Sequence, residues 1–88
     1  AYELGMINRV VEPGNALDGA RALATAIAAN GPLALIASKQ IIRESQDWRQ
    51  DEMFDKQNAI ANPVFTSEDA IEGATAFAEK RPPQWKGR

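Results

Sequence analysis

The stretch that decides the fold lies at the C-terminal end, where residues 65–88 read FTSEDAIEGATAFAEKRPPQWKGR. Thr66 is a typical helix N-cap, and Asp69 stands at the capping-box position three residues later. Apolar residues then recur every three or four positions, which indicates a buried helical stripe. This stripe consists of Ile71, Ala74, Phe77 and Ala78. Two consecutive prolines after Arg81 stop the helix. The sequence therefore predicts a helix ending near Arg81 and an exposed tail over residues 84–88.

Three more helices are predicted upstream, over residues 16–30, 32–45 and 51–61. Asn15 takes the N-cap position of the first, and Pro32 takes the first helical position of the second. Asp51 caps the third, which the Asn62-Pro63 pair is expected to stop because the residue before a proline avoids helical geometry. The pattern indicates a predominantly helical chain.

The N-terminal residues show a different pattern. Ala1–Leu4 is predicted to be the last turn of a helix, with Gly5 as the residue that ends it. Met6–Val11 is rich in β-branched residues and predicts a short strand closed by a turn at Pro13-Gly14. The chain then divides into an end of a core with a connecting strand and turn (1–14), a helical domain (15–81) and a basic tail (82–88).

Composition excludes several classes of function. The 88 residues suffice for one small domain and include neither cysteine nor histidine, so a disulfide scaffold, a thiolate nucleophile, a histidine-based triad and a zinc site are all excluded. No metal site is predicted. No apolar run approaches the ~20 residues of a membrane span, and no membrane association is expected.

The charges are unevenly distributed. All 12 acidic residues precede residue 80, and the last nine residues carry the cations Lys80, Arg81, Lys86 and Arg88. With a net charge of −2, the chain lacks the broad basic face that nucleic-acid binding requires. Two interpretations stay open: a solvated terminus whose cations complement a helix dipole, or a site in which Lys80 and Arg81, followed by Trp85 and Lys86, meet the phosphates and base of a nucleotide.

Three segments, in order, resemble the crotonase superfamily of enoyl-CoA hydratases and isomerases. They are ELGMINRVV at residues 3–11, AANGPLA at 28–34 followed by Ser38-Lys39, and the stretch from Phe65 to Arg88 already quoted. The resemblance covers essentially the whole chain. It implies the helical C-terminal domain of a crotonase-like fold (the ClpP/crotonase ββα spiral), whose core is absent from these residues. The ending WKGR is also similar to carnitinyl-CoA dehydratases.

The resemblance implies a function for the longer protein and a supporting role for this chain. The family's two catalytic glutamates and two oxyanion-binding N–H groups would lie upstream of Ala1, so no catalytic residue is assigned and the chain alone is expected to be inactive. Lys80 matches the family lysine that contacts the adenosine end of CoA, with Trp85 and Lys86 as further candidates. An acyl-CoA thioester is the implied substrate, no cofactor is needed, and the parent is expected to be a cytoplasmic trimer or dimer of trimers.

Two alternatives remain. The parent enzyme is a carnitinyl-CoA dehydratase or an enoyl-CoA isomerase instead of a hydratase, or the chain is a non-catalytic helical oligomerisation module.

Overall fold

The structure, a computed structural model, describes all 88 residues and contains four α-helices and no β-strand. The helices are α1 (Ala16–Ala28), α2 (Pro32–Glu44), α3 (Met53–Phe65) and α4 (Glu68–Glu79), and a single 3-10 turn, Ser45–Asp47, follows α2. The predicted all-α class is confirmed. The strand predicted for Met6–Val11 is wrong: these residues are irregular, because the chain supplies no second strand to complete a ladder of hydrogen bonds.

The first six residues have the geometry of a helix C-terminus. Gly5 N–H donates to Tyr2 O at 3.1 Å and Met6 N–H donates to Ala1 O at 3.1 Å, and Gly5 has a φ of +76°. This pair of bonds around a left-handed glycine is the Schellman motif. The predicted role of Gly5 is confirmed.

The predicted caps and ends of α1 and α3 need correction. The N-cap of α3 is Glu52 and the helix begins at Met53, so Asp51 does not cap it. Asn15 does precede α1, but its side chain makes no capping hydrogen bond. Pro63 lies inside α3, which continues to Phe65. A proline removes one donor, here the one that would serve Ala59 O, and α3 ends only two residues later. The missing bond therefore weakens the last turn without ending the helix at Asn62.

The junction of α3 and α4 is one residue later than predicted. Thr66 belongs to the end of α3, because its N–H donates to Asn62 O at 3.3 Å. Ser67 is the true N-cap of α4: its backbone is extended, and its Oγ accepts from Ala70 N–H at 3.1 Å. The capping-box role predicted for Asp69 is consequently wrong.

The helices form an open layer with little core. α2 lies against α3, and α3 against α4. Only Ala37, Asp69 and Ala76 are buried. The stripe predicted to be buried on α4 is exposed, with Ile71 at 69% and Phe77 at 87% of their full accessibility, because no other residue of this chain covers that side.

No individual helix is both long and apolar enough to cross a membrane. By length and composition alone, α1 and α2 with its following 3-10 turn could do so only as a pair, which is bent by 107°.

Candidate functional site

Lys80 ends α4 in a conformation that is unusual for a lysine. Its φ of 56° and ψ of 45° place it in the left-handed region, where it forms a Schellman motif: Lys80 N–H donates to Phe77 O at 3.2 Å and Arg81 N–H to Ala76 O at 3.0 Å. The side chain is exposed and makes neither an ion pair nor a hydrogen bond. Its ammonium group is therefore free to meet an anion.

Arg81, the next residue, is fully engaged. Its guanidinium contacts Glu72 at 2.7 and 3.1 Å and Glu79 at 2.6 Å. The guanidinium and the N–H of Gln84 lower the pKa of Glu72 from 4.5 to about 2, and the two carboxylates raise the pKa of Arg81 above its ordinary value. Arg81 is thus paired with two carboxylates, whereas Lys80, the other cation at this end of α4, has no such partner.

Trp85 is half-buried between two glycines. Its Nε1–H donates to Ala29 O at 3.0 Å. A Cβ built on Gly73 would lie 3.1 Å from its ring and one built on Gly31 would lie 3.6 Å from it. The six-membered ring of the indole thus lies close to both α4 and the connection between α1 and α2.

Lys86 is held by its backbone, while its side chain is exposed. Its N–H donates to Asp69 Oδ1 at 2.8 Å, and its positive charge contributes to the lowered pKa of Glu72. Its ammonium group has no ion-pair partner. The prediction that residues 84–88 form an exposed tail is right except for Trp85, which is half-buried. The backbone of this segment is nevertheless hydrogen-bonded along α4.

The three predicted site residues do not converge on one pocket. Lys80 and Lys86 present free ammonium groups, whereas the Trp85 ring borders a cavity of about 170 Å³. Its other lining residues are Gly31, Leu33, Ala34, Val64, Ser67, Asp69, Ala70 and Gly73. The cavity is mostly apolar and smaller than the ~300–1,000 Å³ typical of ligand pockets. No cluster of His, Cys, Asp or Glu side chains is arranged to hold a metal ion.

Sequence reasoning missed the most buried polar residue. Asp69 is 4% exposed, and its two oxygens accept from Lys86 N–H and Gly87 N–H, each at 2.8 Å. In the sequence, Gly73 was the residue that could have indicated a segment packed on α4, because a glycine in a helix interior often marks the close approach of another part of the chain.

The comparisons with known proteins agree with one another. The sequence model described as enoyl-CoA hydratase/isomerase matches residues 1–88. The chain is 48% identical over its full length to the enoyl-CoA hydratase EchA19 of Mycobacterium tuberculosis, covering 33% of that protein. It is 43% identical over 99% of its length to a carnitinyl-CoA dehydratase of Salmonella arizonae, covering 35% of it.

Solved structures give the same result. The chain superposes on a crystal structure of an enoyl-CoA hydratase from M. tuberculosis with a TM-score of 0.98 and 59% identity, covering 100% of this chain and 35% of that one. For the enoyl-CoA hydratase EchA1 of Mycobacterium marinum the TM-score is 0.96 with 59% identity, over 99% of this chain and 34% of that one. The chain thus spans about a third of the length of the relatives it matches. It belongs to the enoyl-CoA hydratase/isomerase family.

Proposed function

We propose that this chain forms the C-terminal third of an enoyl-CoA hydratase, which adds water to trans-2-enoyl-CoA thioesters in fatty-acid metabolism. The observation that carries the proposal is the similarity to the M. tuberculosis hydratase structure, with 59% identity and a TM-score of 0.98 over the whole chain. Identity this high over an entire chain supports a shared function more strongly than a shared fold alone does.

The chemistry itself belongs to residues outside these 88. Hydration of an enoyl thioester needs positioned acid–base groups and donors for the oxyanion. Here the one buried carboxylate, Asp69, already accepts two backbone hydrogen bonds, and histidine is absent. We therefore assign no catalytic residue to this chain and expect it to be inactive alone.

Lys80 is the residue that we propose contacts the substrate. The resemblance assigns its position to the adenosine end of CoA, and its exposed ammonium group has no ion-pair partner in this chain, whereas Arg81 is paired with Glu72 and Glu79. Lys86 is a second cation without an ion-pair partner, and its charge contributes to the lowered pKa of Glu72. Trp85 is the weaker candidate, since the indole already contacts Gly73 and Gly31 and donates to Ala29.

A carnitinyl-CoA dehydratase is the second candidate, supported by 43% identity to the S. arizonae relative of that name. Both candidates act on CoA thioesters and need no cofactor in this proposal. We further propose a cytoplasmic trimer or dimer of trimers.

Two measurements test these proposals. The intact mass of the protein in its source cell is expected to be about three times that of this chain, which is 9.6 kDa. The purified protein should hydrate crotonyl-CoA faster than it dehydrates carnitinyl-CoA, and the reverse order would favour the second candidate.

The alternative of a non-catalytic oligomerisation module predicts a different result. A native mass of 9.6 kDa without hydratase activity would contradict the enzyme proposal and leave a helical oligomerisation module, for which the exposed apolar stripe of α4 is the supporting observation.

A further inference from the structure

The last five residues run back along α4. Gln84 N–H donates to Glu72 Oε2 at 2.7 Å, and Lys86 and Gly87 donate to Asp69. Asp69 N–H in turn donates to Arg88 O at 2.9 Å. Because Glu72 and Asp69 lie one turn apart on α4, the segment is antiparallel to the helix and is bound over its whole length.

Asp69 accepts the hydrogen bonds that hold the end of this segment on α4. A carboxylate that is 4% exposed is costly unless its oxygens are satisfied, and here each oxygen accepts one backbone N–H at 2.8 Å. Charge-assisted bonds of this kind are stronger than neutral ones. They depend on the course of the backbone at Lys86 and Gly87 and not on the side chains there.

Trp85 connects α4 to the rest of the chain. Its ring lies between Gly73 of α4 and Gly31 at the start of α2, and its Nε1–H reaches Ala29 O at the end of α1. Glycine on both sides leaves room for a flat ring. Since α1 makes few other contacts with the remaining helices, the indole is a main link between α1 and α4.

We propose that residues 84–88 are a clasp that holds α4 on the junction of α1 and α2, and that the slot between Gly31 and Gly73 is a binding site for an indole ring. The ligand chemistry follows from the contacts: a flat aromatic bicycle with one N–H donor aimed at Ala29 O. In the intact chain, the side chain of Trp85 occupies the slot.

The first test is chemical rescue in the longer protein that is proposed to contain this chain. We expect Trp85→Gly to lower the melting temperature and free indole to raise it again, whereas 1-methylindole, which lacks the N–H donor, should rescue less. Indole should not affect the unsubstituted chain, whose slot is filled. Absence of rescue, or equal rescue by 1-methylindole, would overturn the indole site.

The second test keeps Trp85 in place and probes the slot from its walls. Gly73→Ala would put a Cβ 3.1 Å from the indole, so the ring has to shift, whereas Gly31→Ala would put one at 3.6 Å, an ordinary contact. Alanine is otherwise the better helix former at 73. Gly73→Ala should therefore be less favourable with Trp85 present than in the Trp85→Gly background. An equal effect in both backgrounds contradicts the proposed packing.

The third test measures the clasp directly by amide hydrogen exchange. The N–H groups of Lys86 and Gly87 should exchange slowly in the unsubstituted chain and at unfolded-peptide rates in Asp69→Ala. Glu68→Ala is the matched control, because Glu68 meets the segment only through the exposed Arg88 side chain at 2.6 Å, and it should leave both amides protected. Fast exchange in the unsubstituted chain would refute the clasp.

Discussion

Lys80 combines a free charge with a strained backbone, and the two properties are separable by mutation. It is the only residue other than glycine with a positive φ, which costs roughly 1 kcal/mol relative to glycine. Lys80→Gly should therefore raise the free energy of unfolding of the chain by about 1 kcal/mol, while Lys80→Ala should leave it nearly unchanged. Urea denaturation of the two variants checks this expectation.

The charge of Lys80 belongs to the proposed substrate site and is tested in the longer protein that is proposed to contain this chain. Both variants should weaken CoA binding by a similar factor, about fivefold for a loss of about 1 kcal/mol at an exposed ion pair. Calorimetric titration with CoA provides the measurement, with Lys39→Ala on α2 as the control. Unchanged affinity in both variants would remove Lys80 from the site.

The sequence predicts the roles of residues with local contacts better than the roles of residues whose partners are distant in the chain. Gly5 was identified correctly because its role follows from its neighbours in the chain. The CoA contact of Lys80 stays a prediction, and its left-handed backbone was not predicted. Asp69 was misassigned because its partners are 17 and 18 residues away, and local spacing carries no information about them. The Gly73 contact with Trp85 is of the same non-local kind.

At the scale of the helices, the start of α4 gives a clear comparison of two adjacent hydroxyl residues. Ser67 Oγ accepts from Ala70 N–H, so Ser67→Ala should destabilise the chain by about 1 kcal/mol, as loss of an N-cap does. Thr66→Ala should cost less than half of this, because Thr66 only donates, at 3.3 and 3.4 Å, to carbonyls at the end of α3. Thermal unfolding of both variants provides the measurement. The opposite order would restore the sequence-based assignment of Thr66.

The ion pair between Glu72 and Arg81 makes the end of α4 sensitive to acid. Because the folded-state pKa of Glu72, about 2, lies below its ordinary 4.5, the interaction stabilises the fold fully above pH 4.5 and is lost as the pH falls from about 4.5 to 2. Glu72→Gln should therefore destabilise the chain at pH 7 and matter progressively less below pH 4.5.

Denaturation of Glu72→Gln at several pH values checks the sign of this effect. Glu79→Gln is the control: this carboxylate is 58% exposed and makes one contact with Arg81, so the substitution should have a smaller effect at every pH. A constant destabilisation by Glu72→Gln from pH 7 to pH 2 would contradict the argument.

The helices themselves were predictable, but the direction each one faces was not. All four helices follow from periodicity, but their boundaries moved by a few residues, and none of the side-chain caps predicted at Asn15, Asp51 and Thr66 is observed. The apolar stripe of α4 was expected to be buried, yet the buried face carries Asp69 and Ala76. A stripe indicates that a helix has an apolar side; it does not indicate whether the same 88 residues contain the surface that covers it.

At the scale of the whole molecule, the chain is a thin, open plate. Its extents are 44 × 40 × 18 Å and its radius of gyration is 16.6 Å, against about 12 Å for a compact domain of this length. Its accessible surface of 7317 Å² exceeds the roughly 5,100 Å² of a folded monomer of this mass. The excess, roughly 2,000 Å², is as large as the total area of a standard protein–protein interface.

Because so much of this surface is apolar, the isolated chain should self-associate. Sedimentation velocity over a range of concentrations should show a mass above 9.6 kDa that decreases on dilution. Ile71→Ser and Phe77→Ser, which change side chains exposed by 69% and 87%, should shift the chain toward monomer without lowering its helix content. The exposed Lys39→Ser is the control, since it removes no apolar area. A well-folded chain that stays strictly monomeric would mean that the exposed stripe of α4 does not drive association and that the plate is stable with its apolar face in water.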